Sequence, residues 1–136
     1  IPLTQTAGAN GQLVAHTFST ELLTLGTGGV TTATAGNLAP ANSIIDSITY
    51  RITTTLATAT AFAISVTGGN AFANIGTATT AQTTLTSGTT GVLVPVLHAD
   101  QYNTGATTLT VTSTGIPSAG VIRLTVHYRQ FTAPTS

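Results

Sequence analysis

Apolar and polar residues alternate with a period of two wherever apolar residues cluster in this chain. Between positions 48 and 53, Ile48, Tyr50 and Ile52 fall on one side of an extended backbone, whereas threonines and Arg51 fall on the other. This alternation predicts antiparallel strands with one packed face and one polar face, and no segment has helical spacing. Three further segments repeat it, with the apolar sets Phe62, Ile64 and Val66; Leu109 and Val111; and Ile122, Leu124, Val126 and Tyr128.

Less regular apolar segments predict four more strands, and glycine- or proline-containing breaks separate all of them. Pro95 cannot donate a ladder hydrogen bond, so its segment is predicted to be an edge strand or to contain a bulge. The spacing predicts an all-β fold: a single antiparallel β-sandwich, jelly-roll-like, with about eight strands. The four additional segments are Gln12–Phe18, Glu21–Leu25, Thr79–Thr86 and Val92–Leu97.

The two ends of the chain differ from this pattern. Residues 1–11 contain proline and glycine and are predicted to form an extended N-terminal arm, and residues 132–136 a short tail. Residues 12–131 then form one sandwich domain, because the length suits a single domain. Terminal arms either fray or dock on a neighbouring subunit. If the arm docks on a neighbouring subunit, its first three residues are candidate partner contacts: Ile1, Pro2 and Leu3.

Composition excludes several classes of protein. With 41% apolar residues and no net charge, the chain does not resemble a disordered segment. Three arginines and no lysine cannot supply the basic surface that nucleic acids require. No apolar run is long enough for a membrane-spanning helix, and cysteine is absent. The chain starts at Ile1 without an initiator methionine, so we expect any targeting segment to be removed or not included.

The scarcity of charge bears most directly on function. Charged residues make up 4% of the chain, and 33 of its 136 residues are threonine. A free monomer usually keeps charges of both signs on its surface to stay in solution. Either hydroxyl groups alone solvate a small neutral domain, or neighbouring molecules cover much of its surface. We favour the second alternative.

Candidate catalytic residues are few. The nearest approach to a dyad is His98 with Asp100, which a strand-end loop explains better, while His16 and His127 are predicted to be partly exposed strand residues. The other acids, Glu21 and Asp46, are expected to pair with arginines. No loop holds two acids for calcium, and no phosphate-binding motif is present. We therefore expect no enzyme, metal or cofactor.

Tyr102 is the one aromatic residue predicted to lie in a polar loop. Gln101 and Asn103 flank it, a combination typical of sugar-binding platforms but equally ordinary at a subunit contact. Tyr50 and Tyr128 alternate with core positions and are predicted to be buried. Both interpretations of Tyr102 remain open.

Three segments resemble a module of tailed-phage virion proteins. Residues 37–45, NLAPANSII, followed by 47–55, SITYRITTT, are similar to a Leu-Pro-Ala-Asn-Ser turn that leads into a strand with arginine among threonine and valine. Residues 120–131, GVIRLTVHYRQF, resemble the last strand of that module, and residues 83–92 fit its middle. The resemblance covers about residues 37–131.

The resemblance implies a β-sandwich on the outside of a phage particle. We expect a decoration (cement) protein that binds the outside of the head, stabilises contacts between major capsid subunits and assembles as a homotrimer. The partners are then the major capsid protein and further copies of the chain. One alternative is a fibre tip that recognises cell-surface glycan; another is a subunit of a self-assembling extracellular filament. The complete set of candidate contacts is Ile1, Pro2, Leu3, Tyr102, Arg129 and Phe131.

Overall fold

The computed structural model describes residues 17–26, 29–75, 77, 79–96 and 101–130. The predicted arm and tail lie outside these residues. The described residues contain nine strands and no α-helix, which confirms the predicted all-β class. The strands are β1 (Thr17–Thr24), β2 (Thr31–Ala33), β3 (Ser43–Ala57), β4 (Ala61–Val66), β5 (Phe72–Asn74), β6 (Thr90–Pro95), β7 (Gln101–Asn103), β8 (Leu109–Thr114) and β9 (Ala119–Gln130).

The strands form two antiparallel sheets that pack as a sandwich. The large sheet has the order β1-β9-β3-β6-β5, with β7 also paired to β3, and the small sheet has the order β2-β8-β4. From β1 to β5 the chain changes sheet at every step, and it changes again from β7 to β8 and from β8 to β9. This alternation between two facing sheets matches the predicted jelly-roll-like sandwich.

The core lies between the sheets and contains the inward side chains that the alternation predicts. Ile48 and Ile52 of β3 and Ile64 of β4 have no exposed surface, and Tyr50 is also buried. The apolar sets of β8 and β9 are buried as well, and Tyr128 packs against them while partly exposed. Burying apolar surface drives folding, so this core explains how a chain without cysteine folds without disulfide bonds.

An aromatic cluster joins the sheets at the centre of the core. The rings of Tyr50 and Phe62 meet edge to face, with centroids 5.2 Å apart. The Tyr50 hydroxyl donates to Gln82 Oε1 at 3.4 Å, and burial raises the pKa of this phenol. Gly91 lies opposite Tyr50 in the β3–β6 ladder, and the ring occupies the space that a Cβ at Gly91 would need. This contact explains why β6 has a glycine here.

Two predictions about the strands were wrong. The segments Gln12–Phe18 and Glu21–Leu25 were predicted as separate strands, but β1 runs without a break through Thr17–Thr24. The segment Thr79–Thr86 is not a strand, since only Gln82 pairs, with Phe62 of β4. Two of its carbonyls accept hydrogen bonds from different strands, from Asn74 of β5 and Leu56 of β3, and a third accepts a turn bond from Thr89. The segment therefore crosses the edge of the sandwich, with Gln82 bridged to β4 beside the small sheet.

The strand that contains Pro95 was predicted to lie at an edge or to contain a bulge, but its ladders with β3 and β5 show no register shift. β6 lies between β3 and β5 and is not at an edge. Its pairing with β3 ends at Leu93, while the amide of Val96 donates to Ala71 on the β5 side. Because neighbouring residues direct their amide groups to opposite sides, Pro95 faces the side where the β3 ladder has already ended. The missing N–H therefore breaks no ladder bond.

Candidate interaction surface

The outer faces of the two sheets differ in chemistry. The small sheet presents only small residues, because its large side chains all point into the core. Cross-strand hydroxyl bonds cover part of this face, including Thr67 Oγ1 to Thr108 at 2.7 Å and to Thr110 at 2.6 Å. Its strand residues are Thr31, Ala33, Ala61, Ala63, Ser65, Thr110, Thr112 and Thr114.

The outer face of the large sheet carries exposed apolar side chains. Phe18 and Leu22 on β1 are 62% and 47% exposed, and Val92 on β6 is 46% exposed. The register places them on one face, since Phe18 is opposite His127 and Leu22 is opposite Arg123. We call this surface the large-sheet face; it comprises Phe18, Thr20, Leu22, Thr49, Arg51, Thr90, Val92, Arg123, Thr125, His127 and Arg129. Apolar residues beside arginine are typical of protein interfaces.

Charge is also concentrated on the large-sheet face. Arg129 Nη2 forms an ion pair with Asp46 Oδ1 at 2.9 Å, and its Nε bonds both carboxylate oxygens. Asp46 lies where the β3–β9 register shifts between Ile45 and Ser47, so the bulge directs it towards Arg129. This pair confirms the expectation that Asp46 pairs with an arginine. Both side chains are half exposed, so the pair contributes little stability.

Arg51 and Arg123 occupy the centre of the large-sheet face. They are direct cross-strand neighbours on β3 and β9, and both side chains are exposed. A depression of about 320 Å³ lies over them, lined also by Thr49, Thr90, Val92 and Thr125. Within the part of the chain that the structure describes, neither arginine has an acidic partner.

Glu21 does not pair with an arginine, contrary to the expectation from the sequence. Its carboxylate lies on the core side of β1 and accepts hydrogen bonds from the amides of Ala35 and Gly36, both at 2.8 Å. Ser19 on the same side donates to Leu38 O at 2.6 Å. These bonds attach the β2–β3 connection to the edge of the large sheet. Glu21 therefore stabilises the fold and takes no part in the large-sheet face.

Replacing Glu21 with alanine is expected to lower the free energy of unfolding by about 1–2 kcal/mol, because two charge-assisted bonds to backbone amides are lost. Chemical denaturation followed by circular dichroism measures the change. Asp46→Asn is the matched control, since it removes a carboxylate from an exposed pair and should cost less than about 0.5 kcal/mol. Equal losses in the two variants would contradict the role assigned to Glu21.

The histidines form no catalytic arrangement within the described residues. His127 lies on the large-sheet face, partly buried, with Nε2 3.1 Å from Thr49 Oγ1. His16, His98 and Asp100 lie outside the described residues. Among the residues that are described, no group of acids and histidines could hold a metal ion. No helix in this part of the chain is suited to cross a membrane.

The predicted contact residues lie in different parts of the chain, and the structure describes only some of them. Ile1, Pro2, Leu3 and Phe131 lie outside the described residues, and Arg129 is on the large-sheet face. Tyr102 is in strand β7, where its backbone pairs with Ile44, and not in a loop as predicted; its side chain is outside the described part. The short β7 was missed because three residues give no periodic signal.

Sequence reasoning missed the main residues of the large-sheet face. The alternation placed Arg51 and Arg123 on the polar sides of two strands, which is correct. It did not show that these strands are neighbours. Phe18 and Leu22 were missed because β1 was divided into two predicted strands, which hid their common face.

Comparisons with known proteins give little further information. No protein-family model matches the chain, and no curated protein matches it. The chain is similar to a chain in the solved structure of the cyanophage Pam1 capsid asymmetric unit, at 16% identity and a TM-score of 0.44. The similarity covers 96% of this chain and 100% of that chain. A TM-score of this size does not establish a common fold, and this identity does not establish a common function.

Proposed function

We propose that this chain is a structural protein of a phage virion: a decoration protein that binds the outside of the head as a homotrimer and stabilises contacts between major capsid subunits. The proposal includes no enzymatic activity. The resemblance described above supports it, since two of the resembling segments contain most of β3 and β9, which pair at the centre of the large sheet. The fold alone does not decide between functions.

The large-sheet face is the observation that carries this proposal. It combines exposed phenylalanine, leucine and valine with three arginines, whereas the small-sheet face has only small residues. Covering apolar surface is favourable, and the arginines on this face can form charge-assisted hydrogen bonds with acidic groups of a partner. The large-sheet face therefore binds the capsid, and the hydroxyl-rich small-sheet face points to solvent. Several weak contacts in a trimer together give high occupancy.

Binding to particles tests the proposal directly. The parent phage is grown with this gene disrupted, and purified protein is added back to the particles. We expect Phe18→Asp to lower the affinity for particles by at least about tenfold, because a charge replaces an apolar contact. Thr112→Asp, an equivalent change on the small-sheet face, should leave affinity unchanged. Equal effects of the two substitutions would refute this orientation.

Mass measurement and imaging of the same protein distinguish the alternatives. A homotrimer has the mass of three 13.6-kDa chains. A fibre tip would bind host polysaccharide and lose that binding in Tyr102→Ala. A filament subunit would form open-ended fibres, because contacts between unlike surfaces do not close. Either result without particle binding would replace the proposed function.

A further inference from the structure

The arrangement of Arg51 and Arg123 lowers the free energy of unfolding of the isolated domain. Side chains directly opposite on paired antiparallel strands are close neighbours, and like charges there repel each other. The same row of the sheet has Leu22 on one side and Thr90 on the other, neither of which carries charge. The chain has three residues that are arginine or lysine, and two of them are placed side by side.

The described acidic groups cannot neutralise this pair because they are already engaged. Glu21 binds the Ala35 and Gly36 amides on the core side of β1, and Asp46 binds Arg129. The next row of the face offers Thr20, Thr125 and Thr49, which are neutral. Those hydroxyls bond one another or nearby groups: Thr125 donates to Thr20, which donates to Leu124 O.

The site suits a small planar anion. Two guanidinium groups give several N–H donors on one side of the depression, and an arginine fork matches the two oxygens of a carboxylate. Strands β3 and β9 are interior strands of the large sheet, so the backbone holds both arginines in place. Leu22 and Val92, both about half exposed, flank the pair and exclude water when covered.

We infer that Arg51 and Arg123 together bind the carboxylate of an aspartate or glutamate side chain of a partner protein, seated at the centre of the large-sheet face. This inference rests on the proposed function, which makes the partner a capsid protein. Exposed apolar neighbours favour a protein over nucleic acid, which needs many more cations. They also favour a protein over an acidic polysaccharide, because the half-exposed Leu22 and Val92 side chains beside the arginines have no polar group to bond sugar hydroxyls.

Three arginines make the inference measurable by NMR, because each gives one Nε–H signal. The probe is a capped Ala-Leu-Glu-Leu-Ala peptide, added to about 20 mM, with the glutamine peptide as its neutral control. We expect the Arg51 and Arg123 signals to shift with the glutamate peptide only. The Arg129 signal should not move, because Asp46 occupies that guanidinium. Shifts of all three, or none, would overturn the inference.

Substitution gives a second and independent readout. Arg51→Gln and Arg123→Gln should each weaken peptide binding by at least about tenfold, whereas Arg129→Gln should not. Because repulsion is relieved, each of the first two should raise the Tm by about 1–4 °C, which a merely structural arginine would not do. Unchanged peptide affinity in both variants overturns the inference; if one variant fails to fold, the other decides.

Further titrations show whether the bound anion is a protein carboxylate, and particle binding separates a failure of this inference from a failure of the proposed function. Glucuronate and inorganic phosphate are titrated in the same way, and tighter binding of either than of the glutamate peptide would overturn the assignment to a protein carboxylate. Particle binding is then measured with Arg51→Gln. If the wild-type protein binds particles and Arg51→Gln binds them equally well, this inference is wrong and the proposed function is unaffected. Peptide binding without particle binding defeats the proposed function alone.

Discussion

Replacing Phe62 with alanine is expected to cost about 3–5 kcal/mol of the free energy of unfolding. The side chain is 1% exposed, and its ring packs edge to face on Tyr50, so the substitution leaves a cavity where the two sheets meet. Its backbone also forms both bonds of the bridge to Gln82, at 3.0 and 2.7 Å. Loosening β4 here would disturb the segment that crosses the sandwich edge. Domains are stable by about 5–15 kcal/mol, so the variant would be near unfolding.

The matched control is Phe18→Ala, which removes the same ring from an exposed position. Phe18 is 62% exposed on the large-sheet face, so its loss should change stability by less than about 0.5 kcal/mol. The denaturant midpoints of both variants, measured by circular dichroism, give the two changes in stability. The same Phe18 variant should bind particles less well under the proposed function. A Phe62 variant as stable as the Phe18 variant would mean that the packing between the sheets is not as described.

Replacing Gly91 with alanine is expected to cost about 2–3 kcal/mol, the second largest effect. The new Cβ would lie 2.5 Å from Tyr50 Cε1 and 2.6 Å from its hydroxyl oxygen. The ring cannot move aside easily, because Phe62 packs against it and Gln82 accepts its hydrogen bond. The clash must therefore displace β6 or break the aromatic cluster. Thermal and denaturant unfolding measure the loss.

Two comparisons separate this clash from a general effect of alanine. Gly105→Ala should be neutral, because nothing lies within 4 Å of a Cβ at that position. In a Tyr50→Leu background the smaller side chain leaves room, so adding Gly91→Ala should then cost less than about 0.5 kcal/mol. A full penalty in the double variant would show that the backbone of β6, and not the tyrosine ring, requires glycine.

Hydroxyl side chains form many of the hydrogen bonds that charged side chains form in other domains. Thr58 Oγ1 bonds Ile116 O at 2.8 Å, and Ser87 links to Thr53 O and Thr55 Oγ1, each at 3.0 Å. Every buried side-chain polar atom in the described part of the molecule has a hydrogen-bond partner. Short neutral side chains satisfy these groups without the cost of burying ions. We therefore expect each of the few charged residues to have a specific role.

Prediction from sequence worked best where the signal is local. The alternation along β3, β4, β8 and β9 correctly assigned the inward side chains, because the period of two depends only on extended backbone geometry. The expectation that Asp46 pairs with an arginine was also correct. Threonine-rich Thr79–Thr86 was assigned wrongly, since β propensity alone does not make a strand. A strand needs a neighbour with a matching ladder, and the bonds of this segment are divided among β3, β4 and β5.

The sequence by itself determined that this protein is an all-β sandwich with an unusually uncharged, hydroxyl-rich surface. Alternation and composition are properties of the chain that need no contact between distant residues. Only the tertiary structure decided that β3 and β9 are neighbours, which places Arg51 beside Arg123, and that Glu21 meets two loop amides. Strand pairing is set by the packing of the whole core, so no local pattern could reveal the arginine pair or the surface around it.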